Sequence, residues 1–371
     1  MLEADLPGLN ARILWAAFAL AAVFGAIAQR THFCTMGALA DIVNMGHWAR
    51  MRAWVLAMGV AVIGFNGMVG LGWLQAGHSV YAQPRLLWLS SAVGGVMFGF
   101  GMVLASGCGS KTLVRIGGGS LKSLLVFCVL ALAAYASLRG VFSVLRVATL
   151  DRVDLQLPVG QDLPSLLAHA TSTSTQPWAW ALGLAVGGAM VAFALARAEG
   201  RSLDVLLSGL GLGAIVVAMW WLSGRMGHLA EHPLTLEETY LATNSRRMES
   251  LSFVAPIAYT VDWFILYSDR LKVLTLGITS VAGVVAGSAA VALSAGTFRW
   301  EGFASTEDTA NHMVGAVLMG VGGVMATGCT VGQGLSGIST LALGSFIAVA
   351  GIMAGAVLGL RWQVWRLERA A

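Results

Sequence analysis

Charge is the scarcest ingredient of this 371-residue chain: Asp, Glu, Lys and Arg together supply 11% of it, against about 25% in a soluble domain. So few charges cannot clothe a water-exposed surface, and a string of soluble domains is excluded. The net charge of +4, from 22 Lys+Arg and 18 Asp+Glu, is too small and too scattered for a nucleic-acid footprint, and no basic patch interleaved with aromatics occurs. Cysteine is also rare. Cys34, Cys108, Cys128 and Cys329 are dispersed, with no C-x-x-C and no His pair at metal-ligand spacing, which argues against a disulfide framework, a redox dithiol and a zinc site. Seven prolines beside 47 glycines exclude a collagen-like repeat. No G-x-x-x-x-G-K-[ST] loop is present for ATP, and Gly117-Gly118-Gly119-Ser120 lacks the lysine such a loop requires.

What fills the chain is apolar. Hydrophobic residues make up 57% of it and the mean hydropathy is +0.77, so the composition predicts an all-α polytopic membrane protein. Crossing a hydrocarbon core takes roughly 20 apolar residues, and runs of that order stand at about 12–29, 53–74, 86–107, 121–142, 178–196, 205–223, 271–296, 311–328 and 344–361. Shorter or glycine-rich apolar segments at 31–46, 108–120, 251–267 and 329–343 read as four re-entrant segments. Backbone that breaks helix at membrane depth must face protein or a water-filled cavity, so these four should point inward. The stretch MLEADLPGLNAR is acidic, unlike the basic start of a cleaved signal, so the first apolar run is expected to be a retained helix. Lys and Arg in the short connections, including Arg30, Arg50, Arg52, Lys111, Arg115 and Lys122, gather on the side of the C-terminus, which is therefore expected to be cytoplasmic.

The segment GGVMFGFGMVLASGCGS (94–110) aligns with GAVLMGVGGVMATGCTV (315–331) at an offset of 221, and the same offset carries Asp41 onto Asp262. Two matches at one shift indicate duplication. Three parts follow: residues 1–145 as a first repeat with two re-entrant Cys segments, 146–200 as a polar loop and linking transmembrane helix, and 201–371 as a second, inverted repeat. Inverted repeats with broken helices are a transporter plan whose substrate site lies where the repeats meet.

Cys108 and Cys329 become equivalent, each at the glycine-marked end of an apolar span. Gly107, Gly109 and Gly328 allow sharp turns and close approach to backbone, and N–H groups freed at a half-helix terminus cradle an anion. Ser110, Lys111, Thr330 and Gln333 add polar groups, and a neutral thiol can bond a soft sulfur or selenium atom. Cys34, four residues after Arg30 and two after His32, reads as a vestibule site, with Ala255 at its matching place in the second half. Cys128, in SLLVFCVLALA, reads as a small packing hydrophobe. Asp41 and Asp262 fit proton or substrate sites and fit interfacial helix capping equally. Besides an anion transporter, a membrane sulfurtransferase stays open, because Lys111 near Cys108 or His32 near Cys34 could activate a thiolate.

Taken together, Arg30, Cys34, Gly37, Ala38 and Asp41, the Gly-Cys-Gly-Ser run 107–110 followed by Arg115 and Gly-Ser-Leu (119–121), and Gly-Cys-Thr-Val-Gly-Gln-Gly-Leu-Ser-Gly (328–337) resemble the YeeE/YedE sulfur-transport family, over about residues 12–361. The resemblance implies a bacterial inner-membrane transporter that takes up thiosulfate without a cofactor, with Cys34, Cys108 and Cys329 handing the ion along through S–H contacts to its terminal sulfur. Similar members are linked to selenium, which leaves a selenium compound or another oxyanion as the alternative cargo. It also implies a small cytoplasmic sulfur carrier of the TusA type as partner, the lipid bilayer as surroundings, and no nucleic acid. The chain departs from the family in its long loops, 151–177 and 224–248.

Overall fold

The computed structural model of the chain describes residues 6–233, 236–269 and 272–370. The chain runs through α1 (Leu6–Arg30), α2 (Thr35–Met45), α3 (Ala49–Gly70), β1 (Arg85–Leu86), α4 (Trp88–Leu104), α5 (Gly109–Gly117), α6 (Leu121–Arg139), α7 (Val141–Ala148), β2 (Leu155–Gln156), α8 (Leu163–Ala170) and α9 (Thr175–Leu195). It continues through α10 (Leu203–Trp221), β3 (His228–Leu229), β4 (Thr239–Tyr240), α11 (Val254–Ile265), α12 (Leu276–Ser294), α13 (Thr306–Met325), a π-helical turn at Gly332–Gly337 and α14 (Leu343–Ala370). This is an all-α polytopic membrane protein. Among the described residues, eight helices are long and apolar enough to cross a membrane, rather than the nine expected. The difference is α13: it has 20 residues, but Glu307, Asp308, Asn311 and His312 make its first turns too polar to qualify.

The four short segments between the spans fold as α2, α5, α11 and the π-helical turn. Long helices pack around them: α4 lies between α13 and α14, α1 against α12, α3 between α9 and α10, and α13 also covers α6. Apolar side chains gain little from meeting each other inside lipid, so membrane helices associate through small residues that let backbones touch. The crossing of α4 and α13 does this. A Cβ at Gly94 would lie 2.7 Å from Gly322 O and one at Gly322 2.6 Å from Gly94 O; Gly101 and Gly315 meet in the same reciprocal way, at 2.8 and 2.6 Å. At the 221-residue offset Gly94 corresponds to Gly315 and Gly101 to Gly322. Each glycine thus touches the counterpart of its own helix-mate, the contact pattern a local two-fold axis produces.

The 146–200 stretch is stitched down rather than free. β1 and β2 pair antiparallel, Arg85 with Gln156 and Leu86 with Leu155. Leu163 N donates to Leu341 O at 3.1 Å and Leu343 N to Gln161 O at 3.1 Å. The Asp162 carboxylate accepts from Ser165 N at 3.0 Å and caps α8, and burial raises its pKa above the ordinary carboxylate value.

Candidate functional site

Three of the four breaks share one local construction. At the end of α1, Phe33 N donates to Ala28 O (3.2 Å); at the end of α4, Gly107 N donates to Met102 O (2.8 Å); at the end of α13, Gly328 N donates to Gly323 O (2.8 Å). These are 6→1 bonds of a Schellman C-cap, which needs a left-handed residue one position earlier. That residue is His32 (φ 52°), Ser106 (φ 55°) and Thr327 (φ 55°), none of them glycine. A non-glycine side chain there costs about 1–2 kcal/mol, and such strain concentrates at functional sites. Sequence reasoning assigned the turns to Gly107 and Gly328. The structure moves each turn one residue earlier, and the missing Cβ instead makes room for Lys111 Cγ, 3.1 Å from where the Gly107 Cβ would stand, and Gln333 Cγ, 3.2 Å from that of Gly328.

The residue after each 6→1 bond is cysteine, and it opens the next short helix. Ala38 N donates to Cys34 O (3.0 Å), Thr112 N to Cys108 O (2.9 Å) and Gln333 N to Cys329 O (2.7 Å). Gly37 N donates to Cys34 Sγ at 3.4 Å and Gly332 N to Cys329 Sγ at 3.3 Å, with the N–H groups of Phe253 and Val331 also facing the second sulfur. Cys108 Sγ lies 3.2 Å from Ser110 Oγ. A sulfur that accepts from backbone N–H keeps its S–H hydrogen free for a guest, and the helix N-terminus beneath it favours negative charge. All three thiols are buried. Cys128 is exposed, on α6, so the packing role expected for it is not one inside the protein core.

The three caps are brought together. Cys108 neighbours both Cys34 and Cys329, which sets the three thiols in a row. The fourth break, before α11, fits against this row with Phe253 as its cap. Phe253 stands two residues before Ala255, and a Cβ on Gly109 would sit 3.8 Å from Phe253 Cβ.

Cations surround the Cys34 end. Lys111 and Arg115 neighbour Cys34, Lys111 also neighbours Cys108 and Arg50, and His32 lies near Lys111 and Arg50. Arg50 Nη1 stands 2.8 Å from the Cβ position of Gly37, beside the Cys34 side chain. Its Nε pairs with Asp41 at 3.4 Å, and in the second half Lys272 Nζ pairs with Asp262 at 2.5 Å. Both carboxylates are thus tied to cations just beyond the short helix that carries them.

Thr327 and Gln333, on either side of Cys329 in sequence, line a cavity of about 220 Å³ with Tyr81, Arg85, Ser91, Gln161 and Ser345. Gln333 Nε2 donates to Ala326 O (2.5 Å) and Thr327 Oγ1 (2.7 Å), so its amide donors are spent on holding the break in α13. Thr330 lies elsewhere, on a cavity of about 40 Å³ with Thr35, Leu39 and Trp54. Arg50, Arg115 and Tyr81 are the groups sequence reasoning missed. Arg115 sat inside a quoted motif, whereas Tyr81 carries no local signal at all.

A family model described as Sulphur transport matches residues 30–358. The thiosulfate transporter TsuA of Escherichia coli K12 is 27% identical over 330 residues, covering 85% of this chain and 84% of that protein. The thiosulfate transporter TsuA of Spirochaeta thermophila is 25% identical over 350 residues, covering 91% and 94%. The probable transporter YedE of Escherichia coli K12 is 30% identical over 112 residues, covering 30% and 26%.

Proposed function

The chain belongs to the sulphur-transport family, is a transporter of sulfur compounds rather than an enzyme, and on that premise we propose that it takes up thiosulfate across a bacterial inner membrane through a passage lined by the neutral thiols of Cys34, Cys108 and Cys329. The observation that carries this reading is the threefold use of cysteine at the cap of a short helix, with Cys108 neighbouring both of the others.

A small dianion entering a narrow passage must exchange its hydration shell for protein donors, and it must do so weakly enough to leave again. Helix N-termini supply N–H donors without a full charge, which suits transit. The S–H groups address the terminal sulfur, where a hydroxyl would give a poorer match to a soft atom. Lys111, Arg115 and Arg50 hold the C-terminal face of the row positive, which draws the ion onward; with that face cytoplasmic, a soluble sulfur carrier of the TusA type would meet the ion there. The two halves, residues 1–145 and 201–371, would present Cys108 and Cys329 from opposite directions, with Gly107, Gly109, Ser110 and Gly328 shaping the row.

The test is uptake into vesicles containing only this protein, with thiosulfate and sulfate compared at matched gradients, since the two differ by one sulfur for one oxygen. Thiosulfate should enter at least tenfold faster, and Cys108→Ser and Cys329→Ser should each abolish that preference. Equal rates for both anions, or full activity in both serine variants, overturns the thiol passage.

A further inference from the structure

Where α3 begins and α9 ends, Gly46, Trp48, Arg52, Phe193, Arg197 and Glu199 line a cavity of about 380 Å³. Arg52 is 8% exposed, so its charge has left water, which a guanidinium tolerates only with partners on its nitrogens. Nη1 has them: it donates to Phe193 O (2.6 Å) and Ala194 O (3.3 Å), carbonyls that the last turn of α9 leaves open. Nε does not. It is buried and makes no hydrogen bond, and among the described residues Nη2 makes none either. Nε–H and one N–H of Nη2 point the same way from the planar group, forming the fork that grips two oxygens of a phosphate. The Phe193 ring packs against the guanidinium, with its centroid 5.0 Å from Arg52 Cζ. Arg197 brings a second cation to the lining and Glu199 a carboxylate, both exposed, so two positive charges stand against one negative.

We propose that this cavity is a binding site for the phosphate of an anionic phospholipid, held by the Arg52 fork and Arg197, with the acyl chains along α9. The inference goes beyond the transport reading and does not depend on it. A buried donor without a partner in the protein is the mark of a place that a ligand, ion or water completes, and three observations favour a lipid headgroup. The cavity sits at helix ends, the depth at which headgroups lie: α3 starts at Ala49 and α9 stops at Leu195. Its rim is aromatic. Trp48 and Phe193, 42% and 45% exposed, meet edge to face with ring centroids 6.4 Å apart, as side chains at a bilayer interface do. Below the rim, α9 is the barest of the eight spans: protein buries 22% of its apolar window, and Leu184 and Phe193 are left exposed. In a membrane, lipid covers that face, and a basic pocket between transmembrane helices takes the headgroup of an anionic one. A lipid so held would rest against Gly46–Trp48, the link that joins α3 to the short helix capped by Cys34.

The experiment takes the full chain, stripped of lipid in a neutral detergent, and adds phosphatidylglycerol, phosphatidylcholine or inorganic phosphate, reading lipid binding by native mass spectrometry and the midpoint of thermal unfolding. Wild type should bind phosphatidylglycerol about fivefold more tightly than phosphatidylcholine and unfold at a higher temperature with it, while inorganic phosphate leaves the midpoint where it was. Arg197→Gln changes an exposed side chain and should fold as wild type does but lose the preference between the two lipids. Arg52→Lys keeps a charge beside the carbonyls of α9 but has no fork, and should weaken phosphatidylglycerol binding about tenfold. Arg369→Gln, which removes a cation from the end of α14, should leave the preference intact and so separates this site from general surface charge. Equal binding of the two lipids by wild type, an unchanged preference in Arg197→Gln, or a lost one in Arg369→Gln overturns the proposal. Stabilisation by inorganic phosphate equal to that by phosphatidylglycerol overturns it as well, because the ligand is then a free anion. If Arg52→Lys does not fold, Arg197→Gln decides the matter.

Discussion

One methyl group at Gly322 tests the crossing from which two of the three thiols hang. The added Cβ would lie 2.6 Å from Gly94 O and 2.7 Å from Phe98 N, both backbone atoms, against about 3.4 Å for ordinary contact. The helices must therefore separate by 3.4 − 2.6, or about 0.8 Å. A gap of that size forfeits about a quarter to a half of the dispersion well between facing atoms, and overpacking of this kind costs about 1–3 kcal/mol. The upper half of that range is expected, because neither backbone atom can rotate aside. The same displacement reaches the ends of α4 and α13, where Cys108 and Cys329 begin, and it exceeds the tolerance of about 0.5 Å within which a binding constellation works. Gly322→Ala should lower the midpoint of thermal unfolding in detergent, read from tryptophan fluorescence, by several degrees and cut thiosulfate uptake at least tenfold. Gly188→Ala on α9 is the control, since nothing lies within 4 Å of its Cβ position and alanine favours helix by up to about 1 kcal/mol. If the two variants match in both assays, the close crossing does not position the thiols.

Gln333→Leu removes the donors to Ala326 O and Thr327 Oγ1 and should destabilise by about 1–3 kcal/mol, read as a lower unfolding midpoint; an unchanged midpoint would mean that water takes over both bonds. Arg85 Nε donates to Asp154 Oδ2 at 2.9 Å, and this bond, above all, holds the Asp154 carboxyl below its usual range. A depressed carboxylate contributes stability that is present at neutral pH and is lost as pH falls through its folded value, so the protection factors for hydrogen exchange at 155–157 should fall on acidification in wild type and be low at all pH in Arg85→Gln. Cys128 is exposed on α6 while the other three cysteines are buried, so a bilayer-soluble maleimide should label folded wild type once and Cys128→Ala not at all; a second label would place another thiol at the lipid surface.

Much of the architecture was legible because the bilayer imposes a length. Apolar runs near 20 residues located the spans to within six residues at every end except that of α14, which runs nine residues further, and the segments too short for that duty became α2, α5, α11 and the π-helical turn. α13 strained the rule, since Asp308 and His312 sit inside the helix, paired with each other at 3.0 Å. The cysteine breaks were legible through Gly-Cys, but their mechanism was not. Left-handed backbone announces itself in sequence by glycine, whereas here it falls on His32, Ser106 and Thr327, residues that the neighbouring helices force into place. Gln333 illustrates a second limit: a polar side chain beside a thiol looks like a ligand donor until the orphan carbonyl of Ala326 is seen to claim its amide. Tyr81 reaches the site from the loop before α4, and no spacing rule joins positions brought together only by tertiary structure.

Why cysteine should stand at three caps is a question the cap geometry itself sharpens. Serine, threonine or aspartate is the ordinary choice there, because an oxygen accepts the N–H of the third helical residue well. Sulfur is the weaker acceptor even at distances ordinary for it, 3.4 Å from Gly37 N and 3.3 Å from Gly332 N, so each cysteine gives up part of a cap contribution of about 1 kcal/mol. Each also follows a strained non-glycine turn. A fold that needed only to end one helix and start another would use glycine followed by serine, as it does at Gly119 (φ 97°) and Ser120, where Ser123 N donates to Ser120 Oγ at the start of α6. The chain thus contains the stable solution at a break that bears no thiol, and departs from it at all three that do. On the proposed thiol passage, the sulfur at those caps is kept for what its S–H can bind, and a helix terminus capped by a weak acceptor is the more available to an anion.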